Sequence, residues 1–186
     1  MVSRMAEKAH FLPIDLQVHR SQVFDLMVEY SEWMAKEIGE HFKIDINAVR
    51  GVSSIREYVA SNFDGLISEV SSRGVFYLIE SEGVIIGIGA LDQIREKTGA
   101  IKRMYIRPEY RGEGHGKALL QQLLQKAKEF EYRAIYLNSA RFMTVAHNLY
   151  RSFGFVECKE YPETEILPQA RSHRLCMKKT LEDTTK

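Results

Sequence analysis

The chain has 186 residues and a formal net charge of +1, with 45% apolar and 27% charged residues. This is the composition of an ordinary globular protein, and the balanced charge predicts neither a nucleic-acid partner nor a membrane partner. The length suits a single domain over residues 1–186. Two cysteines, Cys158 and Cys176, are too few for a disulfide framework and favour a reducing, cytoplasmic location. The longest apolar run, residues 84–91, is far shorter than the ~20 residues of a membrane helix.

The N-terminal third predicts one short strand followed by two helices. Residues 10–15 form a β-rich run. Apolar residues then recur at helical spacing as far as Gly39, which predicts a helix that ends at this glycine. Residues 53–70 predict the second helix. Its Ser54 and Glu57 fit a capping box, in which each side chain pairs with the backbone N–H of the other.

The rest of the chain predicts six strands and two further helices. An "ESEG" turn predicts a hairpin, so the strands beside it are antiparallel. A helix with a leucine stripe follows the glycine-rich segment, and a shorter helix ends at Gly154. The predicted strands cover residues 75–81, 83–94, 100–106, 134–140, 155–161 and 172–181.

These elements predict an α/β (α+β) fold in the order β-α-α-β-β-β-α-β-α-β-β. The central sheet is mixed and mostly antiparallel, with helices on both faces. Its one parallel pair comes from the strand–glycine loop–helix–strand segment, because a βαβ crossover makes the two strands parallel. A parallel pair inside an antiparallel sheet could splay and admit a cofactor.

The segment "RGEGHG", residues 111–116, places three glycines at the start of a helix. A helix N-terminus offers unpaired N–H groups and a partial positive charge, and bare glycines let an anion approach them, so this pattern predicts a phosphate site. The GxxxxGK[ST] motif of a P-loop is absent. The GxGxxG fingerprint of dinucleotide-binding folds does not fit either, since the third glycine comes one residue early and Tyr132 and Arg133 replace the expected acid.

Two motifs together resemble the GNAT (GCN5-related N-acetyltransferase) superfamily. "KRMYIRPEYRGEGHGKALL" resembles its motif A, [QR]-x-x-G-x-[GA], and "AHNLYRSFGF", residues 146–155, resembles its motif B. The resemblance is specific because both motifs occur in the expected order with a strand between them. It covers an acetyl-CoA-binding core at about residues 75–155 of a single acetyltransferase domain.

The resemblance implies an acyltransferase that moves an acetyl group from acetyl-CoA to a primary amine by direct attack. Tyr150 holds the position of the general acid that protonates the departing sulfur. The implied ligands of the cofactor are backbone groups, together with the side chain of Asn138 for the pantetheine or the acceptor. They are Met104, Tyr105, Ile106, Arg111, Gly112, Glu113, Gly114, His115, Gly116, Lys117 and Asn138. His147 and His173 are expected to be packed or surface residues, and no spacing of His, Cys, Asp or Glu predicts a metal.

Two positions depart from the family pattern. Relatives often carry a glutamate, the usual general base, where this chain has Ala100. The alternatives left open are a water chain or one of four carboxylates, Asp92, Glu32, Glu37 and Glu165. Met143 stands where some relatives begin motif B with asparagine, so Thr144 is expected to cap that helix instead.

The acceptor is an amine of a small molecule or peptide. Glu29, Glu32, Glu37, Glu40 and Asp45 lie on or near the connection between the first two helices, and an acidic wall there would suit a cationic acceptor, although a solvated helix face explains the same residues. Two alternatives remain, an acyl-CoA-binding sensor or regulatory module without catalysis and a transferase for another acyl-CoA. Homodimers are common in the family.

Overall fold

The computed structural model describes residues 9–68, 71–161 and 168–181. Within these ranges the strands are β1 (His10–Pro13), β2 (Val75–Ser81), β3 (Val84–Arg95), β4 (Thr98–Ile106), β5 (Ala134–Ala140), β6 (Val156–Glu157) and β7 (Arg174–Thr180). The helices are α1 (Leu16–Phe42), α2 (Ile46–Arg50), α3 (Ile55–Ser68), α4 (His115–Glu129) and α5 (Thr144–Ser152). No helix in these ranges is both long and apolar enough to cross a membrane.

The strands form one sheet in the order β1-β2-β3-β4-β5-β7-β6. Every neighbouring pair is antiparallel except β4 and β5, which are parallel because α4 carries the chain from one to the other. The predicted mixed and mostly antiparallel sheet is therefore confirmed.

The parallel pair separates along its length. Its pairing ends at Ile101 and Leu137, although β4 continues to Ile106 and β5 to Ala140. Beyond Ile101, β4 stays paired with β3 on its other edge. The two strands thus diverge toward their carboxyl ends, which leaves one backbone edge of β4 without a neighbouring strand among the described residues.

Helix α1 is longer than the sequence predicts. Asp15 caps its start by accepting the N–H of Gln17 at 2.9 Å. The helix does not end at Gly39, and this prediction is wrong. It continues to Phe42 and ends where Lys43 adopts a left-handed φ of 58° and donates its N–H to the Gly39 carbonyl.

The connection from α1 to α3 contains α2, a short helix that the sequence did not predict. Asp45 caps α2, because its carboxylate accepts the N–H groups of Asn47 and Ala48. At the start of α3, the Ser54 hydroxyl accepts the N–H of Glu57 at 3.1 Å, as predicted. The Glu57 carboxylate returns to the N–H of Ser53, not to that of Ser54, so the capping box is shifted by one residue.

Helices cover both faces of the sheet, as predicted. Helices α4 and α5 bury one cluster of side chains against the sheet, including the predicted leucine stripe Leu119, Leu120, Leu123 and Leu124. Helices α1 and α3 bury a second cluster against the other face, including Val23, Leu26, Val59 and Phe63. The apolar stripes of the helices therefore hold the sheet between two helical layers.

The last strands differ from their predicted lengths. Residues 155–161 contribute only Val156–Glu157 to the sheet, and β7 inserts between β5 and β6. The last residue of β5, Ala140, pairs with the first residue of β7, Arg174. This corner lies beside the point at which β5 leaves β4.

Candidate active site

A cleft of about 540 Å³ opens where β4 and β5 separate. Its walls come from α1, the end of β4, the glycine-rich segment and the first turns of α5. We call it the glycine-loop cleft. The predicted cofactor-binding residues that line it are Met104, Tyr105, Ile106, Arg111, Gly112, Gly114, His115, Gly116 and Lys117. The structure thus brings most of the predicted binding residues to one space.

The glycine-rich segment turns sharply into α4. Gly112 and Gly114 have φ values of 86° and 89°, a left-handed conformation that a side chain at either position would strain. Helix α4 begins at His115, and no side chain caps its first N–H groups. The backbone donors at this end of the helix are therefore left for another partner.

Gly116 differs from the other two glycines. It has no left-handed φ, and an added Cβ would make only an ordinary contact, 3.9 Å from the Leu149 side chain. Neither backbone strain nor protein packing therefore requires glycine at this position. Gly116 lines the cleft, so the space that a Cβ would occupy is space for a ligand.

Arg111 folds its side chain into the cleft. Its Nε–H donates to the Ile106 carbonyl at 2.8 Å, and its guanidinium lies 4.6 Å from the ring centroid of Trp33 on α1. The Tyr105 ring lies 5.5 Å from the same guanidinium. A positive charge is thus held by cation–π contacts beside the free end of α4.

The end of β4 carries a bulge. The register with β3 shifts between the Ile88–Tyr105 and Ala90–Lys102 pairs, and Arg103 within the shift has a φ of 54°. A bulge re-aims the residues beside it. Met104, just after Arg103, lines the cleft.

Helix α1 is tied to β4 by a polar network. The Tyr105 hydroxyl donates to Glu29 at 2.9 Å, and the Arg107 Nε–H donates to the same carboxylate at 2.9 Å. Burial and the hydrogen bond to Glu29 raise the pKa of the Tyr105 phenol above its usual 10. The network fixes the wall of the cleft that α1 provides.

Tyr150 lies on α5 and lines the cleft opposite the end of β4. Its side chain is buried, at 6% exposure. Burial raises the pKa of its phenol, and the nearby Tyr30 phenol acts in the same direction. Tyr150 is therefore protonated throughout the ordinary pH range and can act as a hydrogen-bond donor in the cleft.

The histidines of the two motifs are packed. His115 is buried at the first position of α4, and its ring nitrogen lies 3.2 Å from Glu113. His147 is buried on α5, with its ring nitrogen 3.1 Å from the Ser139 hydroxyl at the end of β5. Burial lowers the pKa of His147. Its position agrees with the packed role that the sequence favoured.

Thr144 does not cap α5, so that prediction is wrong. The helix begins at Thr144, and no side chain makes a capping hydrogen bond there. The residue at the cap position is Met143, whose sulfur lies 3.5 Å from the Ser139 hydroxyl. Met143 and Thr144 instead line the cleft.

Two residues predicted to bind the cofactor do not line the cleft. Glu113 contacts His115 from the turn before α4. The Asn138 amide donates to the Tyr161 hydroxyl at 3.3 Å, on the face of β5 that also carries Tyr136. Across the described ranges, no three His, Cys, Asp or Glu side chains group as a metal site would require.

The carboxylates that could replace the missing acid are spread widely. Ala100 is fully buried, and Asp92 beside it accepts the backbone N–H groups of Ser71 and Gln93. Glu32 lines an open groove and not the glycine-loop cleft. Glu37 lines the glycine-loop cleft, with its carboxylate 3.6 Å from the His41 ring. The fourth candidate, Glu165, lies outside the described residues.

Sequence patterns do not predict the aromatic wall of the cleft. Trp33, His41 and Phe142 form this wall, and the His41 ring stacks on Phe142 at 4.8 Å. Trp33 belongs to the apolar stripe of α1, which predicts burial against the core equally well. Trp33 becomes part of the cleft only because α1 lies across the divergent strands.

The fold and the motifs agree with comparisons to known proteins. The model of the Acetyltransferase (GNAT) family matches residues 36–155. An uncharacterized N-acetyltransferase of Dictyostelium discoideum is 37% identical over 65 residues, which cover 35% of this chain and 30% of that protein. The uncharacterized N-acetyltransferase YjgM of Escherichia coli is 28% identical over 116 residues, which cover 59% of this chain and 70% of that protein.

A solved structure shows the same fold. PaiA N-acetyltransferase from Thermoplasma acidophilum, in complex with coenzyme A, superposes with a TM-score of 0.65 at 17% identity, covering 94% of this chain and 99% of the other. The chain spans between 30% and 70% of the two relatives described above. Because the family model matches well over half of the chain, the protein belongs to the GNAT family of acetyltransferases.

Proposed function

We propose that this protein transfers an acetyl group from acetyl-CoA to a primary amine. One observation carries the proposal: the glycine loop, the open edge of β4 and Tyr150 line a single cleft. The Thermoplasma acetyltransferase of the same fold was solved with coenzyme A. The two relatives described above are named N-acetyltransferases.

The free end of α4 suits a pyrophosphate. The backbone N–H groups from Arg111 to Lys117 supply donors, and the helix dipole adds a partial positive charge. Gly116 leaves room for a close approach of the phosphates, since nothing in the protein fills its Cβ position. Arg111 and Lys117 add positive charge at the edge of the cleft.

The edge of β4 suits the pantetheine arm. Its residues Met104–Ile106 line the cleft, and the neighbouring strand β5 has already diverged. An extended amide chain can pair with such an edge as an added strand. The N–H of Met104 or Tyr105, beside the bulge, would then hold the developing oxyanion of the thioester.

Tyr150 would act as the general acid. The neutral amine attacks the carbonyl carbon, the new C–N bond forms, and the C–S bond breaks. Tyr150 donates its proton to the departing sulfur, and the raised pKa of its phenol keeps that proton in place before the reaction. The amine nitrogen loses a proton in turn.

Glu37 is the described carboxylate best placed to receive that proton through water. It lines the cleft, and it is the only one of Asp92, Glu32 and Glu37 to do so. The Asn138 side chain does not line the cleft and donates to the Tyr161 hydroxyl, so we assign it no role in binding the pantetheine arm.

The proposal is tested by calorimetric titration with acetyl-CoA and by release of CoA thiol with a panel of amines. We expect binding and thiol release that depends on an amine. A protein that binds no acetyl-CoA contradicts the proposal. Tight binding without turnover of any amine would instead indicate a sensor module, and faster turnover with longer acyl-CoA would indicate a different acyl donor.

A further inference from the structure

A second pocket lies beside the glycine-loop cleft. Its volume is about 170 Å³, and it is enclosed by α1, α2, α3 and the facing ends of β5 and β7. Its walls are mostly apolar and aromatic, with Phe42 and Tyr58 among them. We call it the second pocket. Nothing in the proposed binding of acetyl-CoA uses it.

The second pocket adjoins the proposed reaction centre. Ala140 ends β5 and lines this pocket, and Phe142, two residues on, lines the glycine-loop cleft. The Phe42 ring connects the two spaces, since it lies 5.8 Å from Phe142 and 4.1 Å from His173. Tyr30 lines the second pocket and is close enough to Tyr150 to raise its pKa. An acceptor held here is therefore next to the group that would protonate the leaving thiolate.

The charge of the second pocket is basic. Arg50, His173 and Arg174 line it, and no Asp or Glu is among the lining residues that the structure describes. Within the described ranges no ion pair joins either arginine to a carboxylate, although Arg174 also lines a small groove with Glu157 and Glu160. The Arg50 guanidinium lies 3.8 Å over the Tyr58 ring. The half-buried Arg174 guanidinium, with no ion pair to a carboxylate, favours an anionic ligand group.

The acidic wall expected from the sequence does not form around this pocket. Glu32, Glu40 and Asp45 line an open groove that shares four apolar lining residues with the second pocket, but none of these three acids lines the pocket itself. Asp45 is also occupied as the cap of α2. Glu37 lines the glycine-loop cleft and pairs with His41. The second pocket therefore has no carboxylate among its described lining residues that could pair with a second positive charge on the acceptor.

We infer that the acceptor is an apolar α-amino acid, with its carboxylate bound by Arg174 and its side chain in the second pocket. The inference rests on the proposed acetyl transfer and names its acceptor class. Arg174 is the first residue of β7 and pairs with Ala140 at the corner where β5 has left β4. Its guanidinium can bind a carboxylate through two hydrogen bonds, which orients the adjacent amine.

The contribution of Arg174 is measured by binding, so that turnover is not required. The full chain is first titrated with CoA and then, saturated with CoA, with L-leucine, L-leucinamide and 3-methylbutylamine. Leucinamide matches leucine in shape but lacks the carboxylate, as a peptide N-terminus does. Because a charge-assisted hydrogen bond contributes about 1.5–3 kcal/mol, leucine should bind about 10- to 100-fold more tightly than either amine.

Two substitutions test whether the arginines of the second pocket cause the preference for leucine. Arg174→Gln should remove most of the preference for leucine, and Arg50→Gln, at an exposed position that cannot disturb the core, should reduce it. Arg171→Gln is the matched control, because Arg171 pairs with Glu160 and does not line the pocket. Both pocket variants should bind CoA as the wild type does.

The outcomes separate this inference from the proposed function. Equal or tighter binding of leucinamide or 3-methylbutylamine overturns the inference, and so does the absence of leucine binding. Either result with normal CoA binding leaves acetyl transfer standing and assigns it another acceptor. Loss of CoA binding in the wild type contradicts the proposed function itself.

Discussion

The guanidinium carbon of Arg111 lies 4.6 Å from the ring centroid of Trp33, the single tryptophan of the chain. One residue begins the glycine-rich segment and the other lies on α1, so the contact spans the mouth of the glycine-loop cleft. The contact makes tryptophan emission a direct report on the state of that cleft. Any ligand with phosphate groups should draw Arg111 toward itself and change the surroundings of the indole ring.

Acetyl-CoA binding should therefore change the emission of Trp33. The expected result is a saturable change in intensity or wavelength that follows the calorimetric binding curve. Trp33→Phe is the control, since it removes the signal and leaves an aromatic ring for Arg111. Binding by calorimetry with no change in emission would show that the ligand does not occupy this cleft.

Tyr150→Phe should lower the rate of acetyl transfer by about 10²-fold or more, because the departing sulfur loses its proton donor. The affinity for acetyl-CoA should stay near that of the wild type. Since burial raises the pKa of the Tyr150 phenol, its ionisation should not reduce the rate below pH 10. Tyr132→Phe, at a buried tyrosine outside the cleft, is the control and should retain full activity. Full activity of Tyr150→Phe would show that Tyr150 is not the general acid.

The network around Glu29 should stabilise the contact between α1 and β4. Arg107→Met keeps the apolar stem and leaves the half-buried Glu29 with one hydrogen bond, so we expect a loss of about 1–2 kcal/mol in the free energy of unfolding. Lys36→Met removes an exposed ion pair with Glu40 on the same helix and should cost less than about 0.5 kcal/mol. Urea denaturation of both variants measures the difference, and equal losses would contradict this role of the network.

His147 should make the fold sensitive to mild acid. Burial lowers the pKa of His147 in the folded chain, with the charge of Arg151 acting in the same direction. The unfolded chain takes up a proton near pH 6.5, whereas the folded chain does so only at lower pH, so stability should fall as the pH drops below about 6.5.

Denaturation of the wild type and of His147→Gln between pH 5 and pH 8 measures this effect. The variant should lose less stability with acid than the wild type does. His10→Gln, at an exposed position of the edge strand β1, is the control and should keep the wild-type slope. Parallel curves for wild type and His147→Gln would exclude His147 as the source.

The periodicity of the sequence predicted most of the elements, and the tertiary arrangement decided the rest. Strand and helix patterns predicted the parallel pair and both helical layers, because those depend on local spacing and chain order. Gly39 lies inside α1 instead of ending it, since its surroundings tolerate glycine inside a helix and Lys43 supplies the left-handed residue. Spacing alone does not show whether Trp33 faces a core or a cleft. Likewise, the sequence shows carboxylates near α2 but not which of the neighbouring pockets they line.

Gly116 gives the sharpest test of the central claim that bare backbone at the start of α4 holds acetyl-CoA. Gly116→Ala should not strain the fold, because φ is ordinary and the new Cβ meets only Leu149 at 3.9 Å. Alanine also has a higher helix propensity than glycine, so unfolding should not explain any loss of binding. Gly65→Ala in α3, where an added Cβ meets nothing within 4 Å, is the matched control.

The deciding measurement is calorimetric titration of acetyl-CoA into the wild type, Gly116→Ala and Gly65→Ala. We expect the wild type and Gly65→Ala to bind equally, and Gly116→Ala to bind at least about tenfold more weakly, since a methyl group would displace charge-assisted hydrogen bonds to the phosphates. Wild-type affinity in Gly116→Ala, or no binding by the wild type, would contradict the claim.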